Sequence, residues 1–164
     1  MAGRITMSEA QLRPDPVYND KVLAKFINCI MYDGKKSRAQ RVMYDALSLI
    51  DKRLEKAETE DKPENGLAVF HIALDNVKPF VEVRSKRIGG ANYQVPIQVS
   101  RNRQQSLAFR WLIQAARSEK GRPMAEKIAD ELIQAAKGEG KAMTTRDQTH
   151  RMAEANKAFS HFAR

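Results

Sequence analysis

The chain has 164 residues, 42% of them hydrophobic, which favours one folded domain with a modest core and argues against a disordered tail. Lys and Arg number 29 against 20 Asp and Glu, a formal net charge of +9, and such a balance suits a polyanionic partner, nucleic acid first. A single cysteine, Cys29, excludes an internal disulfide, and no apolar stretch approaches membrane-spanning length, so no membrane partner is expected.

In chain order, residues 1–18 hold Pro14 and Pro16 and show no apolar period, so an extended N-terminal arm is expected there, ahead of one helical domain over residues 19–164. The arm lacks a signal-peptide core, and Glu9 and Asp15 spoil it as a transit peptide, so a reducing cytoplasm is the expected compartment. A first helix is predicted from about Asn19, with Val22, Leu23, Phe26, Ile27 and Ile30 on one face and Gly34 as its stop. Cys29 falls in this apolar run and reads as a small buried core residue. Ser37 with Gln40 makes a capping box for a second helix, striped by Met43, Ala46, Leu47, Ile50 and Leu54. The segment EKAETEDKPENG then has no large apolar residue and is a loop. A third helix covers about Leu67 to Val77, with Phe70, Leu74 and Val77 inward, and Pro79 ends it.

From about 80 to 99 the pattern changes to period two, broken at Gly89-Gly90, which predicts a β-hairpin. Placing Val81 and Val83 on one face with Tyr93, Val95, Ile97 and Val99 requires Ile88 to pair with Asn92, around a three-residue Gly89–Ala91 loop. Arg87 would then face Tyr93. A two-stranded ribbon is marginal alone, so its base is expected to pack on helices and its tip to need a partner. Further helices are expected over 103–119 (apolar face Leu107, Ala108, Trp111, Leu112, Ala115) and after Pro123 (Ile128, Leu132, Ala135), the latter stopped by Gly138 and Gly140. Thr145 with Gln148 is read as the capping box of a last helix running through HRMAEANKAFSHF. The expected fold is mainly α, a single-domain bundle of about six helices with a protruding two-stranded hairpin.

No catalytic or metal-binding constellation emerges. His71, His150 and His161 form no pair at ligand spacing, and Cys29 has no partner. DGKKS resembles the end of a phosphate-binding loop, but its upstream glycine position is Cys29 and a helix precedes it. No enzyme, cofactor or metal is expected. The charge pattern is the informative feature. From Arg84 to Arg122 nine cations stand against Glu119 alone, a net +8 over 39 residues, whereas Asp51 to Gly66 has six acids and four cations. Arg103, Arg110 and Arg117 recur every seven residues and so share one helix side, as a solvated stripe or as a row meeting phosphates. The hairpin tip gathers Arg84, Ser85, Lys86, Arg87, Gly89, Gly90, Asn92 and Tyr93, a mixture of cations, an amide, glycines and an aromatic suited to irregular RNA more than to a DNA groove. Tyr93 fits either packing at the hairpin or stacking on a base. Trp111 reads as core, and Met124, Met143 and Met152 as gap fillers.

Four stretches carry a family resemblance: LAKFINCIMYDGKKSRAQRVMYDAL (23–47), ALDNVKPFVEVRSKRIGGANYQVPIQV (73–99), SLAFRWLIQAAR (106–117) and HRMAEANKAFSHFAR (150–164). In this order they resemble the bacterial family of small-subunit ribosomal protein seven. The resemblance implies a cytoplasmic, ribosome-bound structural protein. It implies binding to the 3′ major domain of small-subunit rRNA, early assembly of the subunit head, and a hairpin near the exit-site tRNA and the mRNA path. It also implies neighbouring head proteins and platform ribosomal protein eleven as partners. Carried over by position, the rRNA-facing set is Lys35, Lys36, Arg38, Arg84, Lys86, Arg87, Arg101, Arg103, Arg110, Arg117, His150, Arg151, Asn156 and Lys157. The sequence departs from the family where the first 18 residues hold only Arg4 and Arg13, and where the acidic loop is long. A general nucleic-acid-binding regulator, or a module docking acidic proteins, are the competing readings from charge alone.

Overall fold

The computed structural model describes residues 13–56 and 63–163. Among the described residues, six α-helices, one hairpin and a C-terminal 3₁₀ helix follow each other: α1 Lys21–Ile30, α2 Lys36–Lys56, α3 Gly66–Val77, β1 Val81–Ile88, β2 Ala91–Gln98, α4 Arg101–Ser118, α5 Met124–Ala136, α6 Lys141–Ala155, then Lys157–Ala163 in 3₁₀ form. The expected mainly-α architecture with one hairpin is observed. Among the described residues no helix is long and apolar enough to cross a membrane.

The core is built by the predicted stripes. Leu23, Phe26 and Ile27 of α1, Met43, Leu47 and Ile50 of α2, and Phe70, Leu74 and Val77 of α3 are all buried. Phe26 sits at the centre, with ring centroids 5.2 Å from both Phe70 and Phe109. Such tilted and edge contacts add about 0.5–1.5 kcal/mol per pair beyond area burial. Helix α5 packs on α2, α3, α4 and α6, so the bundle closes around it. Trp111 is half-buried against this core, as expected.

Several local expectations are corrected. Helix α1 starts at Lys21, after Asn19 takes a positive φ of 51° and Asp20 caps Leu23 N–H at 2.6 Å. It ends at Ile30, before Gly34. Asp33 and Gly34, at φ 50° and 70°, make the turn that delivers the chain into α2 at Lys36, so Ser37 is already helical and is not the cap. Thr145 is likewise inside α6 and back-bonds to the Lys141 carbonyl at 2.9 Å. The start of α6 is instead held by buried Glu131, whose carboxylate accepts the Ala142 N–H at 2.8 Å. Helix α6 stops at Ala155, where the Asn156 side chain donates to the Met152 carbonyl at 2.8 Å, and the last turns tighten to 3₁₀. Cys29 is exposed, because it lies off the α1 stripe, and Met152 is exposed by 53% rather than filling a gap.

Most of the proposed arm, residues 1–12, and part of the acidic loop, residues 57–62, lie outside the described residues. Residues 13–18 are anchored. Asp15 is buried, accepts from the N–H groups of Val17 and Tyr18, and takes the Tyr44 hydroxyl at 2.7 Å. Burial, then that hydrogen bond, pushes the Tyr44 hydroxyl pKa up to about 12.

The hairpin register differs from the expectation by one residue. Ile88 pairs with Ala91, leaving a two-residue Gly89-Gly90 turn with φ of 58° and 87°. Two positive φ values are what a type I′ turn needs, and its twist matches that of the strands. Glu82 therefore faces Ile97, Arg84 faces Val95 and Lys86 faces Tyr93, while Val83 faces Pro96 and Arg87 faces Asn92. The buried pair on the inner face is Glu82 and Val95, not a run of valines. A carboxylate is tolerated there because two guanidiniums reach it. Strand β1 lies on α6 and β2 on the 3₁₀ helix.

Candidate nucleic-acid interface

The α1–α2 turn and the end of α4 are distant in sequence but meet in space. They form an open cleft of about 370 Å³ lined by Tyr32, Lys35, Arg38 and Arg117 above Ile30 and Met124. Arg117 donates through Nη2 to the Ile30 carbonyl at 3.2 Å, and its guanidinium lies 4.6 Å from the centroid of the Tyr32 ring. Asp33 offsets part of the charge through a long 3.5 Å contact to Lys35. Three predicted cations are thus gathered; Lys36 is exposed alongside, on the first turn of α2.

The three arginines spaced by seven along α4 are not equivalent. Arg103 donates through Nε to Glu82 Oε2 at 3.1 Å. Arg84 donates through Nε to Glu82 Oε1 at 2.7 Å, so one buried carboxylate holds two predicted contact residues. Arg110 is exposed and its side chain, like those of Arg87 and Arg101, makes no hydrogen bond or ion pair among the described residues. The basic segment is also partly neutralised at its end. Arg122 pairs with Asp130, which Arg53 joins as well. Burial alone would raise the Asp130 carboxyl, but the two guanidiniums hold it below its usual range.

The hairpin tip is braced from within. Tyr93 packs its ring against Phe159 and Phe162, at centroid distances of 5.2 and 5.7 Å, and Lys86 Nζ donates to the Phe162 carbonyl at 2.8 Å. Of the two readings open for Tyr93, packing is the one observed in this chain. Arg87, Asn92, Ser85, Gly89 and Gly90 are exposed around the turn.

Toward the C-terminus, Arg151 on α6 and Lys157 at the start of the 3₁₀ helix are exposed, Asn156 caps α6, and His150 faces the root of the hairpin. His150 Nε2 accepts the Phe80 N–H at 3.2 Å while the two rings stack. Partial burial, then the nearby Arg146 charge, lowers its pKa below the ordinary 6.5. In this arrangement His150 Nε2 is engaged with the root of the hairpin. Sequence reasoning gave Tyr32 no role and did not place Glu82, the acid among the hairpin cations, as a buried partner of Arg84 and Arg103. A tyrosine next to DGKK, and an acid set between two strand valines, were the available signals.

A profile of the family described as ribosomal protein S7p/S5e matches residues 3–157. The chain belongs to this family. It is 59% identical to the small ribosomal subunit protein uS7 of Rhodopirellula baltica over 161 residues, 98% of this chain and 99% of that one. The uS7 protein of Methylobacterium radiotolerans is 50% identical over 99% of both chains, and that of a Nitratiruptor species 51% over 93% of both. The S7p/S5e proteins are structural and non-enzymatic, and rRNA binding is general among them. As an S7p/S5e member, the chain is a structural constituent of the small ribosomal subunit and works in the ribosome, which bacteria hold in their cytoplasm.

Proposed function

We propose that the protein binds the 3′ major domain of small-subunit rRNA, nucleates assembly of the subunit head, and sets its hairpin near the exit-site tRNA and the mRNA path. Neighbouring head proteins and platform ribosomal protein eleven complete its surroundings. The observation that supports this best is the set of cations whose side chains have no partner among the described residues. Lys36 and Arg38 are exposed on the first turn of α2, Arg87 at the hairpin tip, and Arg101 and Arg110 along α4. Unpaired guanidiniums on rigid elements favour phosphates, since binding releases the counterions condensed on RNA. A regulator binding any nucleic acid would show the same salt dependence without preference for this rRNA domain.

Binding to a transcript of the 3′ major domain tests the reading. With ~5–8 phosphate contacts, affinity falls by roughly 10³ between 50 and 200 mM monovalent salt. A nearly flat titration, or equal affinity for an unrelated rRNA domain, defeats it.

A further inference from the structure

We propose that the cleft beside Tyr32 is a stacking site for one unpaired RNA base, with the flanking phosphates carried by Lys35 and Arg38. The proposal rests on the rRNA-binding reading and adds the group recognised and the residue that recognises it.

Tyr32 is 66% exposed, yet it is not a loose surface ring. Arg117 lies against it at 4.6 Å, and Arg117 is itself tethered to the Ile30 carbonyl at 3.2 Å. Ile30 ends α1 and Arg117 lies in the last turn of α4, so two packed helices fix the pair from both sides. The Asp33–Gly34 turn, at positive φ in both residues, sets where the tyrosine leaves the backbone. The result is a platform in place before any ligand arrives, which lowers the ordering cost of binding.

The lining selects the ligand. Its floor is apolar: Ile30 and Ala39 are buried, and Val42 and Met124 border them. Its rim carries Lys35 and Arg38 against one acid, Asp33. A flat heterocycle with little charge suits the floor and the aromatic wall, while anionic groups suit the rim. A nucleotide within a chain supplies both, base inward and backbone along the rim. The volume of about 370 Å³ falls within the usual range for small-ligand sites. An acidic peptide would satisfy the rim but leave the aromatic wall without a flat partner.

Stacking and phosphate contacts separate by their salt dependence. Stacking is electrostatically neutral, so its loss lowers affinity at every salt concentration without changing the slope, whereas loss of a phosphate contact reduces the slope. The full-length protein and the 3′ major domain transcript serve for the measurement, with chemical probing of base reactivity in the complex. Tyr32→Leu is expected to weaken binding roughly 5- to 100-fold at an unchanged salt slope. It should also raise the reactivity of one base inside the footprint. Tyr32→Trp and Tyr32→Phe should bind within about twofold of the unchanged protein. Thermal melts of all three variants check that the exposed position leaves folding intact. Unchanged affinity and probing in Tyr32→Leu overturn the stacking site and leave the cleft to a protein partner. Weakened binding with a shallower slope also overturns it, because Tyr32 would then act only by holding Arg117. If the unchanged protein does not bind the transcript at all, the rRNA reading fails, and this proposal with it.

Discussion

The buried carboxylate of Glu82 accepts a hydrogen bond from Arg103 Nε at 3.1 Å, tying the first strand of the hairpin to the first turn of α4. Arg84 reaches the other carboxylate oxygen. The hairpin's direction relative to the bundle therefore rests on a charge that has to stay paired. Glu82→Gln should cost about 1–2 kcal/mol, since both guanidiniums are partly exposed and regain water. Urea unfolding measures this, and the double variant with Arg103→Gln should cost less than the two single changes added together. Strict additivity would show that the contact contributes nothing.

The arginines of α4 should separate into two classes. Arg110→Gln is expected to weaken rRNA binding by about 1–2 kcal/mol and to reduce the salt slope by about one, with stability within about 0.5 kcal/mol of the unchanged protein. Arg103→Gln should lower binding and stability together, because it also strips a partner from Glu82. Lys56→Gln, at the end of α2 beside the acidic loop, should do neither. Equal effects at all three positions would make charge placement irrelevant.

The C-terminal 3₁₀ helix should act as the brace of the hairpin. Tyr93→Ala or Phe162→Ala removes ring contacts of 5.7 Å and is expected to cost about 1–2 kcal/mol. Amide hydrogen exchange around the turn should rise by about tenfold as the ribbon loses its support. Exchange at the pace of the unchanged protein would mean that the strands hold themselves. Replacing Ser85–Tyr93 by a short Asn-Gly turn should for the same reason reduce stability measurably, since it deletes Tyr93 together with the exposed cations.

His150 gives a pH dependence with a definite sign. Its folded pKa lies below 6.5, so the unfolded chain binds the proton more readily. The contribution of this group is fully present above pH 6.5 and is lost as pH falls toward and through the lowered folded value. Denaturation midpoints should decline over that window, and His150→Gln should flatten this part of the profile. A midpoint that rises on acidification in the unchanged protein, and not in the variant, would contradict the assignment.

The helices were legible because their signals are local. The spacing of Leu23, Phe26, Ile27 and Ile30, or of Met43, Leu47 and Ile50, specifies a buried stripe whatever lies opposite it. Cap positions were less legible. Ser37 and Thr145 each fit a capping box, yet the Asp33–Gly34 turn and the Glu131 carboxylate start those helices earlier. A carboxylate eleven residues upstream of the N–H it accepts cannot be found by scanning a four-residue motif.

By itself the sequence determined the helical class, the hairpin, the concentration of positive charge after Arg84 and, through its four characteristic stretches, the family. Tertiary structure decided the hairpin register, the partners of each cation and the cleft at Tyr32. The alternation of Val81, Val83 and Val95 favoured one register, but the energy of burying Glu82 between Arg84 and Arg103, with a Gly-Gly turn of the right twist, favoured its neighbour. Charge content is additive along a chain and can be counted. Whether a guanidinium remains available for phosphate depends on which carboxylate or carbonyl the fold brings within about 3 Å of it, and that is set by long-range packing.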